Sequence, residues 1–177
     1  MRFCFAFACV ILSINGFAKG KCDSLVIWSD THKLQESDFK GKVPKNTKWA
    51  ANTSYILYVE GSVGKSKLPV YIIEARFNRY LSWLKVNTNS VLIHEQLHFD
   101  IAELFARKMR KKYHELQVKQ ERNIKKYNSS FVTLNEECYQ MQRDYDRETK
   151  HGVNATFQKQ WQVAIQNKLK ALQEYSL

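Results

Sequence analysis

The chain has 177 residues, of which 44% are hydrophobic and 25% are charged, and its formal net charge is +11 at pH 7. With two prolines and no repeated segment, it is neither a low-complexity chain nor a repeat protein, and its length suits one globular domain. The basic residues of 107–127 lack an interleaved ladder of aromatic residues and any known nucleic-acid motif. They therefore indicate a solvated helix face, and we expect no nucleic-acid partner.

The first residues are typical of a secretory signal peptide. Arg2 supplies a positive charge, residues 3–14 are almost wholly apolar, and Gly16 and Ala18 are the small residues of a cleavage site. We predict cleavage after Ala18, which leaves residues 19–177 as one exported domain, periplasmic or secreted. No later stretch reaches about 18 apolar residues, so we expect the protein not to be embedded in a membrane.

Two cysteines remain after the predicted cleavage. Cys22 and Cys138 would meet an oxidising compartment, so we predict a disulfide between them; two buried free thiols are the alternative. No CxxC spacing surrounds either residue, so these cysteines are poor candidates for a zinc site.

The first half of the domain predicts strands. Runs of β-branched and aromatic residues, separated by turn-like stretches, occupy 25–28, 54–60 and 68–77, and residues 82–85 lead out of this region.

From about Ser90 the apolar spacing is helical, with Ser90 or Asn89 as the N-cap. We expect "YNSS" at 127–130 to interrupt the helix, a further helix from about 132 to 150, an end at His151-Gly152, and a last helix through 157–172. The predicted fold is therefore α+β, a small antiparallel sheet followed by three or four helices, with the HExxH segment described next on the first long helix.

Residues 94–98 spell HExxH on the first predicted helix. Positions i and i+4 lie about 40° apart around a helix, so His94 and His98 project side by side, as two ligands of a tetrahedral Zn²⁺ ion require. Glu95 lies on the flank, where it can act as general base and acid on a water whose pKa zinc lowers. The competing interpretation is a pair of partly buried structural histidines.

A catalytic zinc site needs a third protein ligand. His151 follows the predicted second helix at a glycine turn, which can direct a side chain into a cleft, and Asp146 is the competing candidate. His32 and His114 stand in polar surroundings and are expected to be solvated. We prefer His151.

Other polar residues have two interpretations each. The Tyr145 hydroxyl could stabilise an oxyanion, or the ring could simply pack in the core. Asp100 could accept the free N–H of a ligating imidazole or bind the segment around Asp146. Glu103 could serve similarly or form no more than a helix pair with Arg107.

The segments "HEQLHFDIAELFARKMR" and "YDRETKHG" followed by "QKQW", with "DFKGKVP", "AANTS" and "SWLK" upstream, resemble a bacterial family of predicted secreted zinc-dependent proteases. The resemblance implies a zincin-like site with His94 and His98 as ligands and Glu95 as base. It also implies a role for the YDxETxHG segment, onto which Tyr145, Asp146, Thr149, His151 and Gly152 map.

We therefore expect an exported zinc metallopeptidase acting on a protein or peptide substrate. Zn²⁺ would be held by His94, His98 and His151, with Glu95 and Tyr145 as catalytic residues. The alternative function is a non-catalytic exported binding module, with a structural metal or none, that engages anionic envelope or extracellular polymers. The sequence does not predict the oligomeric state.

Overall fold

The structure is a computed structural model that describes residues 24–63 and 68–177. In chain order the main elements are β1 (Leu25–Ile27), β2 (Ala51–Asn52), β3 (Tyr55–Val63), β4 (Pro69–Asn78), β5 (Trp83–Leu84), α1 (Asn89–Val118), α2 (Ile124–Thr149) and α3 (Ala155–Ala171). Two 3-10 turns, Glu36–Asp38 and Gln173–Tyr175, complete the set. The predicted α+β class, a small antiparallel sheet followed by helices, is confirmed.

The main sheet has the strand order β1-β4-β3 and is antiparallel throughout. β3 and β4 form a long hairpin in which Tyr55 pairs with Phe77 and Val63 with Pro69. Alternate residues of β4 face the helices, and Ile73, Ala75 and Phe77 are buried there. A second ribbon pairs β2 with β5.

Helix α1 is the centre of the molecule because it contacts the sheet on one side and α2 and α3 on the other. Fourteen of its thirty residues are buried, a broader stripe than a helix with one partner needs. The Thr88 hydroxyl accepts a hydrogen bond from Val91 N and caps the helix, so the cap lies one residue before Asn89 and two before Ser90, the two predicted positions.

The prediction that "YNSS" interrupts the helices is wrong. Residues 127–130 lie inside α2, where Ser129 and Ser130 donate their hydroxyl hydrogens to the Lys126 carbonyl. The break instead falls at residues 119–123, where Gln120 has a φ of 54° and Asn123 caps α2. Tyr127 is buried against Tyr71 and Tyr113, which explains why this segment packs as a helix.

A buried ion cluster fastens the C-terminal residues to α1. The Glu103 carboxylate pairs with Arg107 at 2.9 Å and with Arg110 at 2.9 Å. Arg107 also donates to the Leu169 carbonyl, and Arg110 donates to the Tyr175 carbonyl. Glu103 is thus part of a structural ion cluster.

Several sequence predictions fall partly outside the described residues. The signal peptide and Cys22 lie in the undescribed N-terminal segment. Cys138 is buried in α2, forms no disulfide with a described residue and has its Sγ 3.7 Å from the Tyr55 hydroxyl, so the disulfide with Cys22 stays a prediction. Among the described residues, none of the helices combines the length and apolar character that crossing a bilayer demands.

Candidate metal centre

Three potential ligand atoms converge between α1 and the end of α2. The Oδ1 atom of Asp146 lies 3.2 Å from Nε2 of His94 and 3.1 Å from Nε2 of His98, and the two Nε2 atoms are 3.3 Å apart. Metal–ligand bonds of 2.0–2.1 Å at tetrahedral angles place neighbouring ligand atoms about 3.3 Å apart. The three separations therefore fit one divalent ion, and the group His94, His98 and Asp146 could hold a metal.

Amide side chains fix the tautomers of both imidazoles. Gln142 Nε2 donates to the His98 carbonyl at 2.9 Å, which turns its Oε1 toward His98 Nδ1 at 2.5 Å. On the other side, Gln158 Oε1 lies 3.1 Å from His94 Nδ1 and accepts from the Tyr145 hydroxyl at 2.8 Å. Each Nδ1 thus faces an acceptor and carries a proton, and each Nε2 presents its lone pair to the common point.

This arrangement brings three electron-rich atoms together with no donor among them. Two imidazole lone pairs and a carboxylate oxygen repel one another unless a positive charge lies between them. In the metal-free protein a proton can supply that charge. Burial lowers the pKa of His98, but the hydrogen bond and negative charge of Asp146 outweigh this and raise it to about 9. For Asp146, burial acts in the other direction and raises the pKa. The hydrogen bonds and charges of the two imidazoles outweigh this effect and hold the pKa of Asp146 well below its usual value.

Glu95 lies near enough to His98 for its negative charge to help raise the pKa of that imidazole, and it is only 5% exposed. Its Oε2 atom is buried and has no hydrogen-bond partner among the described residues. An unsatisfied buried carboxylate oxygen is costly, and such atoms concentrate at functional sites. Thr53 anchors the backbone of this turn by donating to the Glu95 carbonyl at 3.3 Å.

The structure brings Asp146, not His151, into the group with the two imidazoles. His151 lies just outside, with Nδ1 3.4 Å from Asp146 Oδ1 and its side chain 46% exposed. Of the two candidates for the third ligand that the sequence left open, the structure thus groups Asp146 with the two imidazoles, and the identity of the ligand stays a prediction. His151 instead forms part of the open rim of the site, where its ring contacts Trp49 at a centroid distance of 4.2 Å.

A strained turn sets the position of His151. Lys150, His151 and Gly152 have φ values of 51°, 54° and 81°, three consecutive residues in the left-handed region. His151 N donates to the Asp146 carbonyl at 2.8 Å, and Gly152 N donates to the Thr149 hydroxyl at 3.2 Å. A Cβ atom on Gly152 would lie 3.0 Å from Cγ of His94, so only glycine lets this turn pack on the imidazole.

Tyr145 packs in the core of the site. It is fully buried, and its ring stacks on His94 with centroids 4.7 Å apart. Its hydroxyl is engaged with Gln158 Oε1 and lies 3.2 Å from the His94 carbonyl. Burial raises the pKa of this phenol, so it stays neutral. These contacts help to hold the His94 ring in place, and the catalytic role of Tyr145 stays a prediction.

Asp100 does not support an imidazole. Its Oδ1 accepts hydrogen bonds from Trp28 at 2.8 Å and from Gln96 at 2.7 Å, on the side of α1 that faces β1. The hydrogen-bond acceptors of the two imidazoles are Gln142 and Gln158, which sequence reasoning missed. A signal existed: Gln142 and Asp146 are four residues apart and so share one face of α2.

The chain was compared with known protein families, curated proteins and solved structures. None of the curated proteins and none of the solved structures gives a significant match. A family model does match residues 74–152, a little under half of the chain. That stretch begins in β4 and ends at Gly152, so it contains Glu95 and all three converging ligand residues. The family is described as a bacterial protein of unknown function (DUF922).

Proposed function

We propose that the protein is an exported zinc-dependent hydrolase, and specifically a peptidase. The observation that carries the proposal is the set of three ligand atoms within 3.3 Å of one another, near a buried carboxylate oxygen that has no hydrogen-bond partner in the described part of the chain. Two imidazoles and one carboxylate leave a coordination position for water or substrate, which is the composition of a catalytic rather than a structural zinc site.

His94, His98 and Asp146 would hold the ion, and the ion when bound would supply Lewis acidity and lower the pKa of water. The two glutamine oxygens keep both imidazoles in the ligating tautomer. A 2-His-1-carboxylate set also suits Fe²⁺ in oxygenases, so the donor set alone does not separate the two metals. The flanking Glu95 favours hydrolysis because a hydrolase needs a proton acceptor beside the ion.

Glu95 would be the general base and acid. Its carboxylate is buried, and Oε2 has no competing hydrogen bond from any described residue, so it would be available to take a proton from the nucleophilic water and deliver it to the leaving group. A glutamine in its place keeps the shape and removes the basicity.

The substrate would approach from the side of Asp146. This carboxylate is the most exposed of the three ligands, and His151 and Trp49 form the adjacent open rim. Trp49 offers a partly exposed aromatic face to an apolar side chain of a protein or peptide substrate. His151 offers a ring N–H beside the position that a polarised substrate oxygen would take.

The proposal is tested with metal analysis and a hydrolysis assay on a denatured protein substrate. Purified protein is expected to contain one zinc per chain, to hydrolyse the substrate, and to lose activity with a chelator and regain it with zinc. Glu95→Gln is expected to retain the metal and lose activity by about 10²–10⁴-fold.

Glu136→Gln is the matched control, because this glutamate is exposed and remote from the site, and it should behave as wild type. Full activity of Glu95→Gln would overturn the mechanism. Iron in place of zinc, or bound zinc with no hydrolysis of any protein substrate, would favour the alternative functions.

A further inference from the structure

One end of the molecule lies far from the metal centre. Gln117, in the last turn of α1, donates to the Pro69 carbonyl at 2.7 Å, which holds the end of the β3–β4 hairpin beside the α1–α2 turn. Val118 follows His98 by twenty residues in the same helix, a distance of about 30 Å at 1.5 Å per residue. We call the surface formed by residues 117–126 with Val63, Pro69 and Val70 the distal end.

The distal end is basic. Residues 117–126 contain four lysines and arginines and one glutamate, a net charge of +3. Lys119, Arg122 and Lys125 are exposed. Of the four basic side chains in the turn and the start of α2, Lys126 alone is paired with a described residue, Glu121.

Apolar side chains stand among these cations. Val118 is 66% exposed and Ile124 is 48% exposed, each directly next to a lysine in sequence. Val63 and Val70 are more than half exposed at the adjoining end of the hairpin. Exposed apolar residues bordered by cations are the pattern of surfaces that bind a bilayer, with the cations at the headgroups and the apolar groups at the acyl boundary.

The groove beside the distal end is a weaker candidate. It lies between α1 and α2, and its Lys108, Lys111 and Lys112 share it with Glu115 and Glu137. Lys108 is paired with Glu137 at 3.6 Å. The positive charge of the groove is thus largely balanced by its acidic residues, whereas the positive charge of the α1–α2 turn is not.

The turn is held in one shape before any partner arrives. Glu121 N donates to the Leu116 carbonyl at 3.0 Å, and Glu121 Oε1 accepts from Asn123 N at 2.9 Å. The buried Tyr127 also donates its hydroxyl hydrogen to the Glu121 carbonyl at 2.9 Å. Little conformational entropy would be lost on docking, because the backbone that carries these side chains is already fixed.

We propose that the distal end docks peripherally on a bilayer surface that contains anionic phospholipid. The cations would bind the phosphate headgroups, and Val118 and Ile124 would enter the interface. The metal centre would then lie on the side of the molecule away from the bilayer. This inference does not depend on the proposed hydrolase activity.

The test is co-sedimentation with lipid vesicles, using the protein in the form in which the host cell produces it. One set of vesicles is phosphatidylcholine containing 30% phosphatidylglycerol, and the other is phosphatidylcholine alone. Wild type is expected to bind the anionic vesicles and to be released by high salt. The variant Lys119→Glu/Arg122→Glu/Lys125→Glu is expected to lose affinity by about 100-fold or more, since each cation near such a surface contributes about fivefold.

The matched control is Lys42→Glu/Lys45→Glu/Lys159→Glu, which makes the same charge change at exposed positions elsewhere and should lose far less affinity. Val118→Ser/Ile124→Ser should weaken binding to vesicles but not retention on a soluble polyanion such as polyphosphate. Equal losses in the two triple variants, or equal binding to neutral vesicles, would overturn the proposal. An unchanged affinity of Val118→Ser/Ile124→Ser for vesicles would overturn the assignment to lipid in favour of a soluble anionic polymer.

Discussion

Asp146 is the side chain on which the candidate metal centre depends most. It is the one acidic member of the converging group, and it contacts both imidazoles through one oxygen. We expect Asp146→Ala to weaken zinc affinity by more than the roughly 10–100-fold typical of residues that only support a ligand. His151→Ala should leave the affinity within about threefold and lower turnover instead. Competition with a chromophoric chelator measures the affinity, and the reverse order of the two effects would restore His151 as the ligand.

We expect Gln142 to contribute to zinc affinity although it would not contact the metal. Replacing it with leucine removes the acceptor for His98 Nδ1–H and frees the imidazole to take the other tautomer. The expected loss of zinc affinity is about 10–100-fold. Gln140→Leu is the control, because this residue lies on the exposed face of the same helix. Equal affinities in the two variants would show that the amide does not orient the imidazole.

The sequence predicts the pair on α1 but not the choice between Asp146 and His151. The HExxH spacing defines His94 and His98 because helix geometry alone places them together. The third position depends on the left-handed turn after α2, whose non-glycine residues have no local sequence signal for positive φ. For the two glutamines the signal was partial: the spacing places Gln142 on the face of α2 that carries Asp146, but the contact of each glutamine with an imidazole depends on how α2 and α3 pack on α1.

The turn at residues 150–152 connects two helices and also supports the metal centre. Gly152→Ala should be destabilising by about 1–2 kcal/mol from backbone strain alone, and the added methyl group should displace His94 and reduce zinc affinity. Lys150→Gly should act oppositely and stabilise the protein by up to about 1 kcal/mol, because it removes strain at a φ of 51°. Chemical denaturation of both variants measures the change in the free energy of unfolding, which should be negative for Gly152→Ala and positive for Lys150→Gly. Equal stabilities would show that the turn stores no strain.

The junction between α1 and α2 shows where local sequence patterns mislead. Asn128, Ser129 and Ser130 are common in turns, yet they continue α2, because the serine hydroxyls bond to the backbone and Tyr127 is buried beside them. The real break carries charged residues that give no strong turn signal. Packing of a neighbouring tyrosine outweighs the weak intrinsic preference of these small residues.

At the scale of the whole molecule, zinc binding and protonation of His98 should compete, so they should stabilise the fold in opposite ranges of pH. In the metal-free protein the pKa of His98 is about 9, above its ordinary value of 6.5. Protonated His98 therefore adds stability that is fully present below about pH 6.5 and is lost as the pH rises to 9. Zinc competes with this proton, so its apparent affinity should fall by up to about tenfold for each unit of pH below 9.

Thermal unfolding between pH 6 and pH 9 checks this linkage. Chelator-treated protein should become less stable across the range, whereas the stabilisation by a fixed concentration of zinc should increase. The same measurement on Asp146→Ala should show a smaller pH dependence, since the carboxylate that raises the pKa of His98 is gone. Parallel curves for metal-free and zinc-treated protein would contradict the proposed competition.

The buried ion cluster that joins α1 to residues 169–175 has a consequence for how the protein would be degraded. Arg107 and Arg110 donate hydrogen bonds to backbone oxygens of Leu169 and Tyr175, so residues 169–175 supply acceptors for two guanidinium groups inside the fold. Proteolysis within this segment would remove such an acceptor, leave a buried cation less well bonded and so loosen the long helix from within.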